Sequence, residues 1–182
     1  MSMGSSGNER TNKILLLGLG NDILGDDAIG LVASRLIHQR FYSQIDVVEA
    51  PVAGFALLDY LAGYERALIL DSLVVVDGEQ GSIRELKSND FPSQSLLSPH
   101  YVGLKDVMDL AQRLNIDFPT YIRILVIGIS DPFVLREGLT PELTSQLPRF
   151  ILSAEAILRG WGCGPTDDLV EQDSLSPRSW TY

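Results

Sequence analysis

Short, continuous apolar runs alternate along this chain with longer stretches whose apolar residues recur every three or four positions. The first run, Lys13–Leu19, stays apolar on both faces after its lysine, which predicts a strand covered on both sides. Asp27–Gln39 predicts a helix presenting Ile29, Val32 and Leu36 along one face. Ile45–Glu49 predicts a second, short strand, and Pro51-Val52-Ala53-Gly54 turns into a helix over about Phe55–Leu61. Arg66–Leu70 predicts a third strand, apolar through Ala67-Leu68-Ile69-Leu70 and halted at Asp71-Ser72.

Asp77-Gly78 and Gly81 punctuate a loop before Ser82–Leu86, which predicts an edge strand. Gly103–Leu114 predicts a helix through Leu104, Val107, Met108 and Leu110, and Tyr121–Ile129 a buried strand rich in β-branched residues. Thr140-Pro141 supplies an N-cap and a first-turn proline for a last helix. Its Leu143, Leu147, Ile151, Ala154 and Leu158 keep helical spacing, and Pro148 is expected to kink or split it. Strands alternating with helices imply an α/β fold, a three-layer α/β/α sandwich around a mainly parallel twisted sheet of about five strands.

At 182 residues the chain suits one domain with a real core. We divide it into a disordered or expression-derived arm over residues 1–12, an α/β domain over 13–160 and an acidic, mobile tail over 161–182. A formal net charge of −10 argues against a nucleic-acid partner and favours a protein that stays dispersed or meets a basic surface. Cys163 is the only cysteine, so neither an internal disulfide nor a thiolate zinc site is expected, and an incidental thiol in a glycine-rich turn is. No apolar run approaches a membrane span, and the short Leu15–Leu17 run makes no signal peptide, so a cytoplasmic protein is expected.

The chemistry concentrates in Gly18-Leu19-Gly20-Asn21-Asp22-Ile23-Leu24-Gly25-Asp26-Asp27. A glycine turn from strand to helix can cradle a phosphate, but Asp22, Asp26 and Asp27 would repel one, and Ile23 stands where the dinucleotide motif needs glycine. Such a loop suits a cation. In parallel sheets ligands collect at the carboxyl ends of strands. Asp27 follows the first strand and Asp71 the third, so both fall on that edge, and His100 lies in a loop before a helix. Two carboxylates and an imidazole make a partial shell for nickel or zinc, with positions left for water or substrate. Each also has a plainer role: Asp26 and Asp27 as helix-start acids, Asp71 as a turn former, His100 as a cap or solvated residue. His38 reads as a surface residue. Ser72 and Ser98 sit in no Gly-x-Ser-x-Gly elbow, and a proton-sharing Asp27–Asp71 pair would lack the Asp-Thr/Ser-Gly loops of aspartic proteases.

Gly18-Leu19-Gly20-Asn21 with Asp26-Asp27-Ala28-Ile29-Gly30 resembles the opening signature of the hydrogenase maturation endopeptidases. Leu70-Asp71-Ser72, then Ser98-Pro99-His100-Tyr101-Val102-Gly103-Leu104, then Ile127-Gly128-Ile129 leading to Gly138-Leu139-Thr140-Pro141 agree in order and spacing. The resemblance spans residues 13 to 158 and implies a phosphorylase/hydrolase-like fold. It also implies a soluble, monomeric protease of aspartic type that removes the C-terminal extension of a nickel–iron hydrogenase large-subunit precursor after nickel insertion. The family's metal-contacting and catalytic positions fall on Asp27, Asp71 and His100, with Asp26 the alternative to Asp27, and a cleft glycine falls on Gly54. Nickel would come with the precursor, and the resting site would be empty or hold another divalent cation. The alternatives are a non-catalytic nickel chaperone, a nucleotide-binding α/β module and, more distantly, a protease of similar fold that acts in spore germination.

Overall fold

The structure is a computed structural model that describes residues 13–41, 43–75, 79–86 and 104–164. Five strands make one sheet: β1 Ile14–Leu19, β2 Asp46–Ala50, β3 Arg66–Val74, β4 Ile83–Leu86 and β5 Tyr121–Ile129. Their order is β2-β1-β3-β5-β4, with every neighbouring pair parallel except β4, which runs antiparallel to β5 along one edge. The helices are α1 Ile29–Phe41, α2 Leu57–Leu61, α3 Leu104–Arg113 and α4 Pro141–Gly160. Single 3-10 turns lead into α1 at Gly25–Ala28 and into α2 at Gly54–Ala56.

Both faces of the sheet are covered, as continuous apolar strands require. On one face Leu16, Leu68, Leu70, Leu125 and Ile127 pack against α1 and α4 through Ile29, Ala33, Ile37, Phe41, Phe150 and Leu158. On the other, Leu15, Leu17, Ile69, Leu73 and Val126 pack against α2 through Leu57 and Leu61, and α3 lies beside α2. The expected three layers and five strands are therefore present.

Two expectations are corrected, and of the two effects expected of Pro148 the split does not occur. The buried stripe of α1 is Ile29, Ala33, Ile37 and Phe41, whereas Val32 is half-buried and Leu36 exposed. A three-residue step from Ile29 had placed the stripe one position off the four-residue row that meets the sheet. Strand β3 does not stop at Leu70 but carries Asp71 and Ser72 within it, paired with Val126 and Ile127 of β5. Helix α4 runs unsplit through Pro148, which sits on its exposed side. There the Thr144 carbonyl is left without its helical N–H donor. The N-cap is as expected, with Thr140 Oγ1 accepting from the Leu143 N–H at 3.3 Å. The tail beyond Gly164 lies outside the described residues. No helix among the described residues is long and apolar enough to cross a membrane.

Candidate active site

The chain leaves β1 for β2 on one side of the sheet and reaches β3 on the other side of β1. The carboxyl ends of β1 and β3 therefore flank the point where the winding reverses, the place at which open α/β sheets bind ligands. Asp27 lies in the 3-10 turn after β1, Asp71 within the last residues of β3, and both are buried.

Two glycines permit this approach. Gly20 has φ +140°, and a Cβ there would collide with the Asp27 carbonyl. A Cβ on Gly30 would strike the carbonyl oxygens of Leu19 and Leu70, so only glycine lets the start of α1 lie directly on β1 and β3.

Ser72 joins the two acids. Its hydroxyl donates to Asp27 Oδ1 at 2.8 Å, and its backbone N–H donates to Asp71 Oδ1 at 2.7 Å. Strand alternation explains the division of labour. Leu68 and Leu70 face α1 and α4, while Ile69 and Leu73 face α2. By the same period Ser72 belongs to the α1 side, where Asp27 is, and Asp71 to the α2 side. The sequence drew Ser72 only as a nucleophile without an elbow. Its place as the link was available from the two-residue period once β3 was extended past Leu70.

Asp26, the neighbour of Asp27, is committed elsewhere. Its Oδ1 accepts the Thr140 N–H at 2.7 Å and its Oδ2 the Thr140 hydroxyl at 3.0 Å. It pins the start of α4 to the acidic loop. That loop is further bound by a parallel bridge between Leu24 and Arg136, with Gly25 N–H donating to the Arg136 carbonyl at 3.0 Å. On its other flank Arg35 of α1 donates to both Asp22 oxygens at 3.0 and 2.7 Å and to Glu49 at 2.8 Å. The hydrogen bonds from Arg35 hold the Asp22 carboxyl below the usual carboxylate range.

Two of the sequence-predicted site residues, Asp27 and Asp71, are thus brought to one edge through Ser72. The third, His100, lies outside the described residues, among which no group of three metal-capable side chains occurs. Gly54 has φ +58° and opens the 3-10 turn before α2. His38 is exposed on α1, as expected. Cys163 is buried in the core between α4 and the sheet, and burial pushes its thiol upward, away from the reactive thiolate.

A doubly wound sheet with linked carboxylates at its switch point belongs with hydrolytic or cation-handling α/β proteins, since a phosphate would meet like charge there. A family model for hydrogenase maturation proteases, HycI, matches residues 31–157. A hydrogenase 2 maturation protease of Escherichia coli (strain K12) is 29% identical over 154 residues, 82% of this chain and 93% of that protein. Among solved structures, the hydrogenase maturating endopeptidase HybD of Escherichia coli superposes with a TM-score of 0.69 at 27% identity, covering 86% of this chain and 99% of that one. The NiFe hydrogenase maturation protease HybD from Thermococcus kodakarensis gives 0.60 at 26% identity, over 80% and 98% of the two chains. This chain belongs to the hydrogenase maturation protease family, and it is a protease.

Proposed function

We propose that this protease removes the C-terminal extension of a nickel–iron hydrogenase large-subunit precursor after nickel has been inserted, using the precursor's nickel as its handle. The observation that carries the reading is the Asp27–Ser72–Asp71 link at the switch point of the sheet, in a chain of this family. Asp27, Asp71 and His100 are the groups we assign to the nickel and to the chemistry. Carboxylate and imidazole donors suit a borderline divalent ion. With only three protein ligands such an ion is held loosely until the precursor contributes its own. A precursor without nickel then lacks the handle, which couples cutting to metal loading.

In the aspartic-type reading, a carboxylate of the pair accepts a proton from the water that attacks the scissile carbonyl and passes it to the departing amine. The nickel, when present, polarises that carbonyl or positions the peptide. Ser72 holds one oxygen of each carboxylate, so both acids meet the peptide in fixed orientation. His100 precedes α3, whose layer lies beside α2 on the side to which the strand period assigns Asp71.

The test uses the precursor in nickel-loaded and nickel-free forms, with product length read by mass spectrometry. The loaded form is expected to shorten and the empty form to stay intact. Equal cleavage of both would refute nickel recognition. Normal processing by His100→Ala would sink the assignment of that residue. Tight nickel binding by calorimetry with no change in precursor length would favour the chaperone instead.

A further inference from the structure

Among the described residues, the exposed apolar side chains Leu36, Phe55, Leu114, Tyr121 and Leu152 come from five separate elements or turns, which is ordinary for a globular surface. Four others lie together. Ile23 is 63% exposed, Phe133 77%, Val134 46% and Leu135 77%. They lie on the two loops that the Leu24–Arg136 bridge joins, so that Ile23 and Leu135 are next to each other in register.

We propose that this ridge is the docking surface for the folded precursor, meeting an apolar patch on it that is bordered by basic residues. The inference deepens the function proposed above and rests on it. Its first support is rigidity. The Arg136 N–H donates to the Ile23 carbonyl at 3.2 Å, and the Phe133 N–H donates to Asp131 Oδ1 at 2.8 Å. Asp26 clamps the end of the same loop through Thr140. The apolar side chains are therefore presented on backbone that is already ordered, which lowers the entropy lost on binding.

Position is the second support. Ile23 stands four residues before Asp27, on the loop that carries the site. A body seated on the ridge brings its neighbouring chain to the acid pair. Charge decides between occupants. Exposed Asp131 and Glu137 flank the ridge, which carries one exposed cation, Arg136, on a chain of net charge −10. A second copy would bring the same negative field to the contact and would cover the acids, whereas a basic-rimmed partner is attracted to it. An apolar cluster of this kind beside a functional site marks a protein-binding surface.

The experiment measures binding of the nickel-loaded precursor by interferometry and, separately, its processing. The double variant Phe133→Ser, Leu135→Ser is compared with the wild type and with Leu152→Ser, an exposed apolar residue on α4. The double variant is expected to keep its melting temperature, weaken binding at least about tenfold and raise KM in step, while kcat holds. Leu152→Ser is expected to change none of these. Unchanged Kd and KM in the double variant overturns the ridge. Binding by the wild type without cleavage overturns the proteolytic reading instead and leaves the ridge to be judged on Kd. No binding by the wild type overturns both. A wild-type dimer that the double variant dissolves makes the occupant a second copy and overturns the proposal. Should the double variant misfold, amide exchange on the wild type decides: slowing over residues 131–137 when precursor is added is expected, and no slowing refutes it.

Discussion

Asp26 and Asp27 are chemically identical neighbours with opposite employment. Asp26 receives two hydrogen bonds from Thr140, and Asp27 receives the hydroxyl of Ser72 beside Asp71. Asp26→Ala should therefore cost about 1–3 kcal/mol of stability by orphaning the Thr140 N–H. Its processing rate should follow only the fraction folded. Asp27→Asn keeps the size and much of the hydrogen bonding, so its melting temperature should move little while processing falls by about 100-fold or more. Measuring both by calorimetry and by precursor cleavage separates them, and the reverse pattern would exchange the two roles. Ser72→Ala removes the donor to Asp27 but leaves the backbone donor to Asp71. Processing should drop by about 10- to 100-fold, as when the outer partner of a functional carboxylate is lost. Wild-type turnover in that variant would show that Ser72 merely fills space. The sequence placed Asp27 and Asp71 on one sheet edge because strand ends and parallel winding are written in the apolar pattern. It left Asp26 open because no local pattern reports a bond to Thr140, 114 residues away.

At the level of elements, the contact between α1 and the sheet sets how near Asp27 comes to β3. Gly30 faces two competing effects. Replacing it by alanine inside a helix would by propensity alone add about 1 kcal/mol. The new Cβ, however, meets the carbonyl oxygens of Leu19 and Leu70, which belong to two sheet strands and have little room to move. Overpacking of that kind costs about 1–3 kcal/mol and should win, lifting α1 off the strand ends. Urea unfolding of Gly30→Ala should show net destabilisation, with processing impaired beyond the loss of folded protein. A stabilised, fully active variant would mean that α1 has slack there. Most elements were legible from periodicity: β5 was anticipated as Tyr121–Ile129, and α4 from its Thr140-Pro141 start. The stripe of α1 was not, since Ile29, Val32 and Leu36 are as regular as Ile29, Ala33 and Ile37, and only tertiary contact chooses between them. The end of β3 was misjudged because a buried aspartate looks like a terminator until its partners from another element are known.

Across the whole molecule, the central strand β3 is shared by two cores. Leu68 and Leu70 belong to the cluster with α1 and α4, and Ala67, Ile69 and Leu73 to the cluster with α2. Strands β1 and β5 on either side of β3 likewise give one face to each layer, so the two faces rest on the same three strands and should unfold together although their side chains do not interdigitate. Leu68→Ala and Ile69→Ala alter fully buried neighbours on opposite faces. Each should cost about 2–5 kcal/mol through lost burial and the cavity left behind. Because the two side chains share few partners, the double variant should lose nearly the sum. Fluorescence and far-ultraviolet dichroism during denaturant unfolding should give coincident single transitions in all four proteins, displaced along the denaturant axis with little change in slope. Two separated transitions in Ile69→Ala, with the layer of α2 and α3 melting first, would show that the cores are independent. The cleft would then have one wall able to loosen on its own. A single transition ties the geometry of Asp27, Ser72 and Asp71 to the integrity of both layers, as expected when one acid is carried by the turn into α1 and the other by a central strand that both cores share.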